Sequence, residues 1–587
     1  MDRNKATAPY NFVSLPKQVI AAPLEKNIQA EQWDKDDSAY IESARADFRK
    51  YIEKNIEDQD ALSGEIELDI TTETPCFVGG YMDPDAADDA AQEFFSPTGK
   101  PILPGSSLRG MVKNMYKIIT CGAMRKEEDF HDQHLYFRSI AAPKSIRDYK
   151  QHYLDRMTGV AAGFLVGRGR EYFICPGYAE DPRPDGRRTN ESFEIEWQQG
   201  KCACYTGPMG KKHHYDIIEY PQDWSVTLPI SEEVIKSYRE DKKRGNANGD
   251  PKKAADWDLF ELAEKKSAAK EITDNHYDMV VPCFYKEENG IVQHFGFGPS
   301  YRIPYQKSIA QHIPEALQSR KVDFADAVFG RKELWGGRVF FDDAVWQGSG
   351  NPYLQAGKTP PLMSPNPTSF QLYLRTDGYG QPQHWDRNTD IRGYKLYWHK
   401  NCGANWRTDT TDDDTHPIIP VRAGSHFKGK IRFERLTAVE LGSVLRVFEL
   451  AREDEDLRYK IGKGKSLGMG TIKIETKLSV LDADEAYSHL FDANGLADCL
   501  RPDDGTLWQK SITAFDAYRQ RECCEMGYEA GYEILQGELR HMLDWKNEEK
   551  KPGWQQLTSH MELGGTEFRN RLALPTVGEL FPSGSQR

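Results

Sequence analysis

Lys460-Ile-Gly-Lys-Gly-Lys-Ser-Leu-Gly-Met-Gly470 closes a strand–helix–loop–strand unit, and that unit sets the architecture. From Gly462 to Thr471, five of ten residues are Gly or Ser, with Lys460, Lys463 and Lys465 interleaved. Glycine lets a backbone approach a phosphate closely and present its N–H groups, while lysine supplies charge. Gly462, Gly464, Lys465, Ser466 and Gly468 are therefore candidate contacts to a phosphate backbone together with Lys460 and Lys463. No Gly-x-x-x-x-Gly-Lys-Ser/Thr spacing fits, so the run is not a Walker loop. A strand, Thr471–Leu478, follows where a dinucleotide fingerprint needs a helix. Taken alone, the run also reads as a solvated hairpin. On its N-terminal side lies an amphipathic helix, Thr437–Ala451, with Leu441, Val444, Leu445 and Phe448 on one face. Thr437-Ala-Val-Glu440 is a capping-box sequence that would start this helix. Before it, Phe427–Glu434 alternates like a half-buried strand.

A matching unit lies far upstream. Ile66, Leu68 and Ile70 alternate with Glu65, Glu67 and Asp69 in a strand, Gly64–Ile70. A loop rich in Gly and Asp follows (Gly79–Gly99), then Pro104-Gly-Ser-Ser-Leu-Arg-Gly110 and a helix from about Ser107 to Cys121. Ser106 or Ser107 is the expected N-cap. The helix start offers free N–H groups and a positive dipole end, and Arg109, Lys113 and Lys117 add charge at helical spacing. An ordinary capped helix with Arg109 paired internally is the alternative. Joined, the two units make an α+β, ferredoxin-like (RRM-like) βαββαβ core, with about 300 residues between its halves.

The rest of the chain arranges around that core. The expected organisation is an N-terminal extension (1–60), a first half-core (61–125), an insertion of mixed strands and helices (126–420), a second half-core with the glycine loop (421–480) and a helical C-terminal extension (481–587). The extension 1–60 reads as peripheral, with a charged helix over Gln29–Ile56. In the insertion, Val280–Phe297 reads as a hairpin turning at Glu288-Asn289-Gly290, and Gly245–Pro251 as a break in a Lys-rich helical stretch.

Composition narrows the function classes. The chain has 587 residues, 29% charged and 38% hydrophobic, enough for real cores. No apolar run approaches bilayer length, and Met1–Pro16 lacks a signal-peptide core, so a cytoplasmic protein with no membrane partner is expected. The ten cysteines are scattered, which fits reduced thiols. A net charge of −14 means that any RNA contact is a local basic face on an acidic body. That acidic body suits docking beside basic partners.

Four blocks in order resemble the RAMP superfamily of CRISPR-associated proteins: Thr98–Met111, Ala327–Gly330 with Gly337–Ala344, Phe427–Phe433, and Glu440–Gly442 through Gly470. Tyr205–Lys212, Tyr301–Tyr305 and Ile391–His399 are similar to a large-insertion branch of it. The resemblance implies a ferredoxin-like RAMP core and a backbone subunit of a type III effector, with III-D as a candidate subtype. Such a subunit grips crRNA, meets target RNA, and assembles with further RAMP backbone subunits, a large polymerase-like subunit and a small subunit. It also implies a target-RNA endonuclease site: an aspartate in the loop before the Pro-Gly-Ser-Ser helix, assisted by a divalent metal, Mg or Mn. Counting back from Thr98-Gly99 puts Asp89 at that position, with Asp88 beside it. The family's Asp-Asn-Pro-like context is missing, since Ala90, Ala91 and Gln92 stand there. A solvated acidic loop is the competing reading, and with it a non-catalytic structural or adaptor subunit that recruits partner proteins.

Two further clusters carry chemistry. Cys202 and Cys204 point to one face of a strand, and His213 and His214 follow closely, a set that could hold zinc without the paired Cys-x₂-Cys knuckles of structural sites. Arg392-Gly-Tyr-Lys-Leu-Tyr-Trp-His-Lys400 offers Arg392 and Lys395 to phosphates and its aromatics to bases. As a strand it puts Tyr394, Leu396 and Trp398 on one face, which equally suits core packing.

Overall fold

The computed structural model describes residues 5–28, 38–82, 90–126, 128–138, 147–180, 194–209, 212–241, 258–266, 269–273, 276–362, 369–403, 406–408, 417–482, 486, 488, 491–492, 495–496, 499–562 and 565–582. The elements of the central domain are β1 (Leu62–Thr72), β2 (Ile102–Leu103), α1 (Gly105–Ile119), β3 (Val339–Phe341), β4 (Ala344–Trp346), β5 (His426–Leu436), α2 (Ala438–Glu453), β6 (Tyr459–Lys460), β7 (Thr471–Leu481), β8 (Leu500–Pro502), α3 (Thr506–Met526) and α4 (Glu529–Leu543).

The alternating residues of β1 make it the middle strand of an antiparallel sheet. Ile66 lies opposite Ile431 and Ile70 opposite Phe427 on the β5 side, and Ile70 opposite Ile474 on the β7 side. The order is β6-β7-β1-β5-β4-β2, with β3 also paired to β5 and β8 to β7. Counting β1, the split strand β3/β4, β5 and β7 as four core strands, the order is 4-1-3-2. With α1 and α2 as the two crossover helices, this is the ferredoxin-like topology. Ile66, Leu68 and Ile70 are buried on one face. The other face carries ion pairs such as Lys430–Glu65 and Arg432–Asp342. Tyr116 of α1 and Ser443 of α2 share a 2.8 Å hydroxyl contact, which joins the last turns of α1 to the N-terminal half of α2. The Thr437 capping box forms as its sequence requires.

The C-terminal extension is a third layer over this helix pair. Gly442 lets α3 approach so closely that a Cβ there would sit 1.9 Å from the Ser511 carbonyl oxygen. Phe515, Leu535, Leu539 and Met542 complete the same core.

Three expectations change. Residues 1–60 are not peripheral: Val13, Val19, Ile20 and Leu24 are buried in the main core, and Tyr10–Ser14 pairs with Gly393–Tyr397. The expected helix over 29–56 is Ser38–Glu57, and 29–37 lie outside the described residues. The stretch 126–420 is not wholly inserted, because it supplies β3 and β4, the second core strand. Gly337–Asp342 reads as a strand from the sequence and contains β3, but its continuation β4 does not, because Asp342 and Asp343 split the strand into two pieces of three residues.

The insertion proper builds its own hydrophobic core around Phe164, Val166, Val280, Phe284 and Phe295. Its five-stranded sheet runs in the order Leu228–Pro229, Glu171–Pro176, Ala161–Arg168, Met279–Glu288, Ile291–Gly296. The last two strands form the expected hairpin, turning on Asn289 (φ 54°) and Gly290 (φ 78°) as a two-residue turn demands. Among the described residues, no helix is long and apolar enough to cross a membrane.

Candidate nucleic-acid interface

The glycine loop folds back on the segment that leaves β1. Gly462, Gly464, Gly468 and Gly470 have φ of 82°, 71°, 98° and 73°, the left-handed region that side chains resist. A Cβ on Gly470 would lie 1.9 Å from the Ile461 carbonyl oxygen, and one on Gly462 2.3 Å from that of Phe77. This close approach lets Lys463 N–H donate to Phe77 O and Gly470 N–H to Pro75 O, both at 2.8 Å. Lys460 turns inward and donates from Nζ to the Met469 carbonyl at 3.2 Å, holding the loop from within. Lys463 is exposed and reaches Gln92 Oε1 at 3.2 Å. Ser466 is half-buried in the short turn Lys465–Leu467, and Gly468 packs on Lys400 and Cys402.

Helix α1 starts two residues earlier than expected, with Pro104 as its N-cap. The capping acceptor comes from across the sheet: Gly105 N–H donates to the Asp343 carboxylate at 2.7 Å. Gly105 is needed there because a Cβ would lie 2.1 Å from the Phe341 carbonyl oxygen. Ser106 is exposed and Ser107 half-buried, and neither caps the helix. The basic stripe faces away from the glycine loop. Arg109 donates to the Phe329 carbonyl at 3.1 Å and lies over the Phe329 ring, and Lys113 Nζ sits 6.0 Å from the same ring. Positions three and four apart share a helix face. Ser107, Gly110, Met111 and Asn114 therefore form the face that looks toward the loop.

The third block arrives on the strand Gly393–Tyr397. Tyr394, Leu396 and Trp398 are buried in the core, as the alternation allows. Lys395, on the opposite face, has Nζ 3.8 Å from the centre of the Tyr10 ring and also faces Tyr373 and Tyr397. Arg392 is directed elsewhere: it is buried and donates to the Leu374 and Gln371 carbonyls.

These three blocks, spread along the chain from Ser107 to Lys465, line one groove of about 560 Å³. Ser107, Gly110, Met111 and Asn114 form one wall, Lys460 to Lys463 and Lys465 a second, and Lys395 to Tyr397 a third. Apolar groups from Met111, Leu396, Ile461 and Met542 lie between them. Of the candidate RNA contacts, the groove gathers Ser107, Lys395, Lys460, Gly462, Lys463 and Lys465. Arg109, Lys113 and Arg392 are held by other contacts.

The electrostatics of the groove are distinctive. Burial pushes the Lys460 ammonium down to about 7 and Lys395 down to about 8, and it lowers Lys465 as well. Among the described residues, the groups that act on these three lysines are other lysines and the thiols of Cys76 and Cys402, with no carboxylate. Buried cations are ordinarily paired, because desolvating an uncompensated charge is costly. Cations left without a carboxylate at a groove edge favour an anion from outside. Burial also holds the His399 imidazole well below its usual range, beneath the groove and against Thr471 Oγ1.

Sequence reasoning passed over Asn114 and Tyr10, and reached His399 only as part of the run Arg392–Lys400. Asn114 follows Ser107 by seven residues, so a helical projection finds it. Tyr10 carries no local signal, because its place depends on pairing with Tyr397. Asp88 and Asp89 lie outside the described residues. In the insertion, the buried Cys202 and Cys204 have their Sγ atoms 3.8 Å apart. The side chains of His213 and His214 lie outside the described residues, and the strand register puts His213 opposite Pro208 while Cys204 faces Asp216.

A family model described as the RAMP superfamily matches residues 69–473. No curated protein matches the chain.

Proposed function

Because this chain belongs to the RAMP superfamily, with its CRISPR-associated RNA-binding role, we propose that it is a crRNA-binding backbone subunit of a type III effector complex in antiviral defence. The observation that carries this reading is the groove in which the Pro-Gly-Ser-Ser helix, the glycine loop and the Lys395 strand converge. Among the described residues its lysines have no carboxylate partner, so they suit a phosphodiester backbone. Its apolar interior accommodates the sugar and base edges of a single strand. The acidic remainder of the chain serves contacts with the other RAMP subunits, the large polymerase-like subunit and the small subunit. The test is RNA recovery from assembled complexes. Lys463→Glu with Lys465→Glu is expected to deplete guide RNA relative to protein, and unchanged guide content would contradict the reading.

A second reading, target-RNA cleavage, draws on the flanks of the acidic segment. Gly79 pairs with Phe94, Gln92 joins Gly80 O to Lys463 Nζ, and Val78 and Gly79 line the groove. The two flanks of the segment that carries Asp88 and Asp89 thus lie beside the proposed RNA path. On this reading its carboxylates hold a divalent metal, Mg or Mn, at the scissile phosphate. An Asp89→Ala complex is expected to keep its guide and lose cleavage, and cutting at every site would remove Asp89 from that role.

A further inference from the structure

The insertion and the loop packed on it carry a set of ligating side chains that the groove does not use. His152 lies on the helix Arg147–Met157, and His384 and Asp386 lie on the loop before Gly393–Tyr397. One ligand atom from each of the three lies within 4.8 Å of the others. We propose that His152, His384 and Asp386 form a divalent transition-metal site, with zinc as the best-fitting ion, that pins the 384–389 loop to the insertion.

The surroundings are built as a metal site requires. Asp386 Oδ1 accepts the backbone N–H of Gln306 at 2.5 Å and that of Lys307 at 3.3 Å, which fixes the carboxylate plane. Its other oxygen, Oδ2, faces His152 Nε2 at 2.5 Å. The loop is held on both sides of Asp386, because the two nitrogens of His312 engage the carbonyls of Trp385 at 2.6 Å and Thr389 at 2.7 Å. Outer contacts of this kind orient ligands before the ion arrives. The His152 and His384 rings lie side by side, with centroids 4.7 Å apart and planes 25° apart. The Asp386 side chain is 5% exposed and that of His152 23%, so the cluster opens to solvent on the His152 side. That opening supplies a path of entry and room for a water as fourth ligand.

The donor set selects the ion. Two imidazoles and one carboxylate suit Zn²⁺ and its first-row neighbours, whereas Mg²⁺ and Ca²⁺ favour all-oxygen shells. Arg156 lies 3.7 Å from Asp386 Oδ2 and competes for it. Its guanidinium also has the Pro304 carbonyl and the Phe137 ring, so it keeps partners when an ion takes the carboxylate. In the metal-free chain, the His152–Asp386 hydrogen bond and Arg156 hold the same elements together, and the ion would replace that hydrogen bond.

The experiment is a zinc titration of the chelator-stripped full chain against a chromophoric competitor, paired with Co²⁺ absorption of the wild type. One tight equivalent is expected, with cobalt bands free of thiolate charge transfer. His384→Ala and Asp386→Asn are each expected to bind at least about tenfold more weakly, while Cys202→Ser with Cys204→Ser binds like the wild type. Absence of a tight equivalent, a thiolate charge-transfer band, or undiminished binding by both His384→Ala and Asp386→Asn would each overturn the proposal. The cobalt spectrum is read on the wild type, so it decides the matter even if a variant fails to fold.

Discussion

Buried charge is treated in opposite ways in the helix layer of the core and in the groove beside it. In the helix layer, Arg338 donates from both terminal nitrogens to Glu440 and also reaches the Ala327 and Arg435 carbonyls. Arg125 is likewise matched to Asp326 and to the Ser319 and Lys321 carbonyls. In the groove, Lys395, Lys460 and Lys465 carry the cost of burial with no carboxylate among the described residues to offset it. Cations matched from within the chain hold the fold together. Cations left unmatched at a groove mark where an anion from outside completes the structure.

The largest effect should come from breaking a matched pair. Glu440→Gln strands the Arg338 guanidinium inside the core and is expected to cost about 3–5 kcal/mol, measured by urea unfolding. A loss below about 1 kcal/mol would erase the distinction between the two regions.

Next in size is the response to pH, where the two properties of the groove move in opposite directions. Lys460 and Lys395 sit near 7 and 8 in the folded chain, below the ordinary lysine value of 10.5. Between about 7 and 10.5 the unfolded chain therefore binds more protons, so the groove's contribution to stability rises with pH. RNA binding needs the protonated lysines, so affinity is expected to fall on the order of tenfold between about pH 6.5 and 8.5. Thermal melts and RNA titrations over the same pH range check both slopes. Parallel slopes would place these lysines outside the RNA contact.

The smallest effect is a negative control. Arg109→Ala removes a guanidinium held against Phe329, not one aimed at the groove. RNA affinity is expected to change less than about threefold, well under the 1.4 kcal/mol that a tenfold loss represents.

Legibility in the sequence followed the length and regularity of each element. The β5–α2–β7 unit was readable because its strands alternate over about ten residues and its helix carries a capping box. Of the second core strand, Gly337–Asp342 reads as a strand and contains β3, but β4 and the strand's place in the core do not show, because each piece is only three residues long. The place of the N-terminal strand was hidden for a related reason: Phe12–Pro16 reads as extended, but its buried residues take meaning only from pairing with Gly393–Tyr397. Within the site, each of the three blocks was visible alone, while their meeting in one groove depends on tertiary packing. The charge of α1 was visible, but its direction was not, since the choice between groove and Phe329 is made by the neighbouring helix Phe324–Phe329.

The central claim, that the unmatched lysines of the groove hold an RNA backbone, is tested most directly by binding a labelled single-stranded guide RNA over a salt series. Lys463→Glu with Lys465→Glu is predicted to weaken binding about a hundredfold at low salt and to reduce the log–log salt slope by about two. The melting temperature should stay near that of the wild type. An unchanged slope and affinity in a folded variant would contradict the account.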